Sequence, residues 1–162
     1  TMVQNIVEVF GTKGADVAEV FRRECPRQRL QFKQVDRKEA VSALHRGRAI
    51  LLACWLSDRQ WTQFSTFFAE RPVEILTSEV FTPDTCLKSG HAVVIVGQRN
   101  GIWEIKNSWG GDFADGGRFK MRWDALPADV TRFFDVFWIE SELSVAEKRA
   151  FQQQMPSIRE ED

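Results

Sequence analysis

The chain contains 162 residues, of which 43% are hydrophobic and 28% are charged, and its formal net charge at pH 7 is −1. A chain of this length forms one ordinary domain that buries roughly two thirds of its unfolded surface. The near-neutral charge argues against nucleic acid or an anionic membrane as a partner, and no apolar run reaches the length of a membrane span. The cysteines form no Cys-x-x-Cys pair, so we expect neither a metal site nor another cofactor.

Two helices are predicted early in the chain, ahead of most of the strands. The first covers residues 15–25, with Asp16 near its start, Pro26 after its end, and an apolar face of Val17, Val20 and Phe21. The second opens with an Asp-x-x-Glu capping box at Asp36 and ends at Gly47. Its inward residues are Ala40, Val41 and Leu44.

A buried strand and an aromatic helix are predicted next. Residues 49–55 form an apolar run, which is typical of a strand in the interior of a sheet. The pair Ser57-Asp58 then caps a short helix with three aromatic residues on one face, which are Trp61, Phe64 and Phe68. Because Cys54 lies inside the apolar run, we interpret it as a core cysteine.

The sequence from 90 to 110 predicts a β-hairpin with polar residues at its open end. Residues 92–96 and 102–106 are apolar strands joined by a turn that contains Asn100-Gly101, a strong hairpin signal. Pairing around this turn in the predicted register places Val94 opposite Ile105, and His91 near Asn107 and Ser108. An Asn carbonyl beside an imidazole fixes its tautomer and leaves the other ring nitrogen for proton transfer. The alternative is a strand-end histidine beside a turn asparagine, without a chemical role.

The tail of the chain predicts one more helix. A capping box at Ser144-Val145-Ala146-Glu147 opens it, and Pro156 stops it after Met155. Its apolar residues are Val145, Phe151 and Met155. We therefore predict a main domain over residues 1–140 and a helical C-terminal extension over residues 141–162. The extension either packs back on the domain or docks on a partner.

The hairpin carries a resemblance to a known family. The segment that begins at Gly90-His91 and the pentapeptide Lys106-Asn107-Ser108-Trp109-Gly110 resemble the His and Asn segments of papain-like cysteine peptidases, the C1 family. The resemblance is specific from about Asp36 to about Met121. It implies an α+β fold that corresponds to the right-hand, β-rich half of the peptidase, with an antiparallel sheet or partial barrel and flanking helices over residues 1–140.

The resemblance also implies roles for the site residues. His91 would be the general base and acid, Asn107 its orienting residue, and Trp109 the cover of their hydrogen bond, with Ser108 in support. The chain departs from the family pattern at three places. Gly90 stands where the family usually has Asp or Asn, Phe113-Ala114 where a second Trp-Gly is usual, and Arg118 where an aromatic residue is common.

The nucleophile is the residue that the chain does not offer. In papain-like enzymes the histidine follows the nucleophilic cysteine by roughly 130–150 residues, which places that cysteine, and the oxyanion glutamine before it, ahead of Thr1. Two hypotheses follow. The chain is the C-terminal half of a cysteine peptidase and is inactive by itself, or it is a pseudo-peptidase that serves as a protein-binding module. The sequence leaves open whether the whole protein is an enzyme.

The cysteines and the charge also bear on compartment and partners. The three cysteines, Cys25, Cys54 and Cys86, are an odd number at irregular spacing. The family often pairs a cysteine near position 86 with one that this chain lacks, so a reducing compartment such as the cytoplasm is favoured. We expect a peptide or protein partner, together with self-association or docking to the missing N-terminal half.

Overall fold

A seven-stranded sheet is the main element of the fold. The computed structural model describes residues 15–86 and 89–154, with side chains described up to residue 150. The strands are β1 (Gln31–Val35), β2 (Ile50–Leu56), β3 (Ile75–Leu76), β4 (Ser89–Arg99), β5 (Ile102–Lys106), β6 (Arg118–Arg122) and β7 (Thr131–Phe137). Their order is β1-β7-β2-β4-β5-β6-β3, so the sheet is open, and all its pairs are antiparallel except β3 with β6. The predicted α+β class is confirmed.

Within the described residues, four α-helices accompany the sheet. They are α1 (Val17–Glu24), α2 (Arg37–His45), α3 (Asp58–Glu70) and α4 (Val145–Gln154). The predicted capping box at Asp36 is present, with hydrogen bonds exchanged between Asp36 and Glu39. The predicted cap at Ser57 is also present and forms a capping box with Gln60. None of these helices has the length and apolar character needed to span a bilayer.

Strand β2 lies in the interior of the sheet, between β4 and β7. Its sequence is almost entirely apolar because both of its faces are covered, and Ile50, Leu52 and Leu56 are at most 2% exposed. Strands β1, β3, β6 and β7 were not predicted. Strand β1 precedes α2 and strand β2 precedes α3, so the expectation of helices first is wrong. The edge strand β1 is mostly polar (Gln-Phe-Lys-Gln-Val), and such a pattern is a weak strand signal.

The predicted hairpin forms, but in another register. Asn100 and Gly101 both have positive φ, 51° and 75°, as a two-residue turn of this kind requires. The turn sets Arg99 opposite Ile102, and a β-bulge follows between Ile95 and Gly97. Val94 consequently pairs with Lys106 instead of Ile105. The predicted register is therefore wrong, because it included neither the exact turn length nor the bulge.

The C-terminal extension attaches to the turn after α1. Its helix α4 begins with the predicted capping box, in which the Ser144 and Glu147 side chains each accept a backbone N–H. Arg29 forms an ion pair with the Glu147 carboxylate and also donates to the carbonyl oxygen of Glu142 at 3.3 Å. Val145, one of the apolar residues of this helix, is 72% exposed. The side chains of Phe151 and Met155 lie outside the described residues, and the domain division stays a prediction.

The apolar face of α1 lies on the sheet. The Phe21 ring contacts Phe32 of β1 at a centroid distance of 5.5 Å and Phe134 of β7 at 5.7 Å. Val17 and Val20 are half-buried. The predicted inward face of the first helix is therefore confirmed, and it covers the β1–β7 edge of the sheet.

Candidate active site

His91 lies near the start of β4, next to the buried strand β2. It pairs with Cys54 of β2 in the antiparallel ladder, so the two side chains lie on the same face of the sheet. The imidazole is half-buried. The backbone position of this ring is therefore set by the best-buried part of the sheet.

Asn107 is the first residue after β5, and its side chain meets the imidazole. Its backbone N–H donates to the carbonyl oxygen of Gly117 at 2.9 Å, which holds the strand end in place. Its side chain is buried, and the Oδ1 atom lies 2.7 Å from Nε2 of His91. The predicted adjacency of His91 and Asn107 is confirmed.

The contacts of Asn107 fix the tautomer of His91. The backbone N–H of Ser108 donates to Oδ1 of Asn107 at 2.8 Å, so this atom is the amide oxygen and not the nitrogen. An oxygen acceptor requires that Nε2 of His91 carry the proton. Nδ1 of the neutral ring is then an unprotonated acceptor with no hydrogen-bond partner among the described residues. Ser108 therefore acts here through its backbone rather than its hydroxyl group.

Aromatic rings surround the imidazole. Trp109 stacks on His91 with centroids 4.7 Å apart and an interplanar angle of 30°, as the cover predicted for it requires. Trp109 keeps 42% of its surface exposed, so it stands between the hydrogen bond and solvent. Trp61 of α3 meets the imidazole at 5.8 Å and 86° and also contacts Trp109. Phe64 and Phe113 continue this cluster on the other side of Trp109.

Trp61 is the contact that the sequence reasoning did not connect to the site. The sequence predicts only that Trp61, Phe64 and Phe68 share one face of α3. The signal that could have revealed Trp61 is its position: it lies in the first turn of a helix that starts directly after β2, the strand that pairs with β4.

A family model decides the assignment of this constellation. The model described as "Papain family cysteine protease" matches residues 12–129. The chain belongs to the papain family of cysteine proteases. The resemblance stated from the hairpin motifs is thereby confirmed.

Parts of the chain are similar to individual proteins. The oryzain gamma chain of Oryza sativa subsp. japonica is 50% identical over 52 residues, which are 27% of this chain and 14% of that protein. Xylellain, a cysteine protease from Xylella fastidiosa, is similar in fold with a TM-score of 0.50 and 18% identity, over 68% of this chain and 40% of that one. Bromelain from Ananas comosus is similar with a TM-score of 0.45 and 16% identity, over 67% of this chain and 50% of that one. The chain spans at most half the length of each of these proteins.

None of the cysteines of this papain-family chain is placed as a nucleophile. Burial raises the pKa of the Cys54 thiol to about 12, so it stays protonated at neutral pH although it lies opposite His91. Burial, and then the Glu24 charge, raise the pKa of Cys25. Cys86 is exposed, but a hydrogen bond to the Asp84 carboxylate raises its pKa. The interpretation of Cys54 as a core cysteine agrees with this environment.

The part of the chain that the structure describes contains no candidate metal-binding site. No group of three or more His, Cys, Asp or Glu side chains there is arranged to hold an ion.

The glycine before His91 has a physical reason in the neighbouring strand. Gly90 pairs with Trp55 of β2, and a Cβ atom at position 90 would lie 2.8 Å from Nε1 and 3.1 Å from Cδ1 of that indole. Trp55 therefore occupies the space that the usual Asp or Asn would need. This explains one departure from the family pattern.

We expect Gly90→Asn to lower the free energy of unfolding by about 1–3 kcal/mol, because the new side chain overpacks against Trp55. Trp55→Ala should remove most of this cost when the two changes are combined. Gly97→Asn is the matched control, since a Cβ atom there has no neighbour closer than 3.8 Å. Urea unfolding of the four variants measures the effect. Equal costs for Gly90→Asn with and without Trp55 would contradict the explanation.

Proposed function

We propose that this chain supplies the acid–base half of a cysteine protease active site. His91 is the general base and acid, Asn107 orients it, and Trp109 shields their hydrogen bond, while the Ser108 N–H holds the Asn107 amide. The observation that carries the proposal is the 2.7 Å contact between Nε2 of His91 and Oδ1 of Asn107. It leaves Nδ1 as a proton acceptor, which is the state that a general base needs.

The reaction would be acyl transfer to a thiol followed by hydrolysis. Nδ1 of His91 takes the proton of the thiol, and the thiolate attacks the peptide carbonyl to give a tetrahedral oxyanion. The oxyanion collapses to a thioester while the imidazolium gives its proton to the leaving amine. A water molecule then attacks the thioester, with His91 taking its proton, and the thiol is restored. The substrate class is a peptide or protein.

The thiol in this scheme comes from outside the chain. Cys25, Cys54 and Cys86 are the chain's cysteines, and their burial or charge environment disfavours the thiolate in each case. A segment encoded ahead of Thr1, carrying the cysteine at a helix N-terminus and the oxyanion glutamine, would complete the site. If no such segment exists, the environments of the three cysteines support the second candidate, a pseudo-peptidase that binds protein.

The test begins with the chain by itself. We expect it neither to hydrolyse fluorogenic peptides nor to be labelled by an epoxide inhibitor of cysteine peptidases, because its own thiols are not activated. Mass spectrometry of the treated protein measures the labelling. Stoichiometric modification of Cys54 that disappears in His91→Ala would contradict this expectation.

The second step uses the protein encoded by the complete gene. A Gln followed by Cys-Trp ahead of Thr1, with peptide hydrolysis and epoxide labelling at that cysteine, would support the enzyme. A complete protein without that cysteine, or one that has it and stays inert with peptides, would overturn the enzymatic proposal in favour of the binding module.

A further inference from the structure

Trp61 is set in place by the local structure at the end of β2. Ser57 caps α3 through its capping box, which makes Leu56 the residue before the cap and Trp61 the fourth helical residue. Apolar residues at these two positions pack together as a hydrophobic staple and fix the direction in which the chain enters a helix. Both line the same apolar cavity as His91. The start of α3 therefore fixes the position of the Trp61 side chain beside the sheet.

The indole also returns to the strand that carries His91. Its Nε1–H donates to the carbonyl oxygen of Ser89 at 2.9 Å, and Ser89 is the ladder partner of Leu56. Leu56 and Trp61, five residues apart in sequence, therefore both contact Ser89 of β4, the first through the strand ladder and the second through its indole N–H. This bond holds the backbone two residues before His91.

The ring of Trp61 then limits the imidazole from the side. It stands nearly perpendicular to His91 at 5.8 Å, while Trp109 lies against the face of that ring at 4.7 Å. The two tryptophans also contact each other at 6.1 Å, so the three rings form a closed group. Stacking on Trp109 alone would let the imidazole slide or turn in its plane. A second ring at the side removes that freedom.

We propose that Trp61 is a positioning residue for His91: it holds the imidazole in the orientation in which Nε2 donates to Asn107 and Nδ1 is kept as the acceptor. The role of Nδ1 rests on the proposed function, but the positioning itself is a property of this chain. Trp61 acts through Ser89 and Trp109 as well as directly, and it takes no part in proton transfer.

The test compares two substitutions of Trp61 by NMR of the ring nitrogens of His91. Trp61→Leu removes both the ring and the N–H donor, and Trp61→Phe keeps a ring but removes the donor. We expect the ratio of the Nε2–H to the Nδ1–H tautomer to fall by about threefold to tenfold in Trp61→Leu. In Trp61→Phe the ratio should be largely kept, while exchange of the Nε2 proton becomes about twofold to tenfold faster.

The control is Trp123→Phe, which makes the same chemical change at a tryptophan that is 42% exposed and lies against Gly101, at the turn of the hairpin. It should leave the His91 signals unchanged. If Trp61→Leu fails to fold, the proton exchange in Trp61→Phe decides the question. Unchanged His91 signals in the folded Trp61 variants, or equal changes in the Trp123 control, would overturn the proposal.

A kinetic measurement separates this inference from the proposed function. In an active complete protein, Trp61→Leu should lower kcat more than it raises KM, because a positioning residue acts on proton transfer by His91. If the tautomer changes as expected but the complete protein hydrolyses no peptide, the positioning role stands and the enzymatic function fails. If the protein is active and the tautomer does not change, the enzymatic function stands and the positioning role fails.

Discussion

Replacing His91 by alanine in a complete, active protein is expected to lower kcat/KM for a peptide substrate by about 10²–10⁴-fold. This is the usual contribution of a positioned acid–base group. The loss should appear mainly in kcat, because the imidazole moves protons in the transition state and does little for ground-state binding. Steady-state assays with a fluorogenic peptide measure it. His45→Ala is the control, since His45, the other histidine, lies at the end of α2 and contacts Gln98.

Asn107→Ala should cost less, about tenfold to a hundredfold, because Asn107 acts on the reaction only through the hydrogen bond to the imidazole. The double variant with His91→Ala should be no slower than His91→Ala alone, since an orienting residue has nothing left to orient. Additive losses would show that Asn107 has a separate role. A His91→Ala protein with more than about a tenth of the original activity would contradict the general-base assignment.

The largest effect on stability is expected at an ion pair outside the site, in which the carboxylate is buried and the guanidinium is partly exposed. Asp135 of β7 is 1% exposed, and its Oδ2 atom accepts from Nη2 of Arg48 at 2.7 Å. Arg48 also lies over the Phe137 ring at 5.4 Å. Arg48→Ala leaves the carboxylate buried without its counter-charge, so the free energy of unfolding should fall by about 3–5 kcal/mol. Urea denaturation followed by tryptophan fluorescence measures the loss.

The chain offers a matched control for this substitution. Arg71 also pairs with a carboxylate, that of Glu74 at 3.6 Å, and also lies over a phenylalanine, Phe67 at 5.7 Å, but both charged groups are more than half exposed. Arg71→Ala should therefore have a much smaller effect. Replacing both partners by apolar residues, Arg48→Met with Asp135→Leu, should restore most of the stability. If Arg48→Ala lowers the free energy of unfolding no more than Arg71→Ala does, burial of Asp135 does not make its ion pair important for stability.

The parts of the fold that the sequence predicts are those with local causes. The capping boxes at Asp36 and Ser57 join residues three positions apart, and the turn at Asn100-Gly101 needs only the positive φ values that this pair tolerates. The proximity of His91 and Asn107 follows from the same turn, since two strands leaving it must bring their far ends together. It therefore survives an error in register, because side chains of this length span a shift of one residue.

The features that the sequence does not predict depend on distant segments. The pairing of β7 with both β1 and β2, and of Arg48 with Asp135 across 87 positions, has no local signature. The bulge between Ile95 and Gly97 is a property of the pair of strands and not of either one. Trp61 was not connected to the site for the same reason: its hydrogen bond to Ser89 exists only once β2 and β4 are side by side.

The single Oδ1 atom of Asn107 accepts from both His91 and Ser108, and this has a consequence for how a complete site would assemble. A 180° flip of the amide would turn its NH2 group toward two donors, so the rotamer has no competitor of similar energy. Ordering a side chain during association costs about 0.5–1.5 kcal/mol. For Asn107 this conformational entropy is lost when the chain folds and not when another segment associates with it. We therefore expect a segment bringing the thiol to meet an imidazole that needs no reorganisation on encounter.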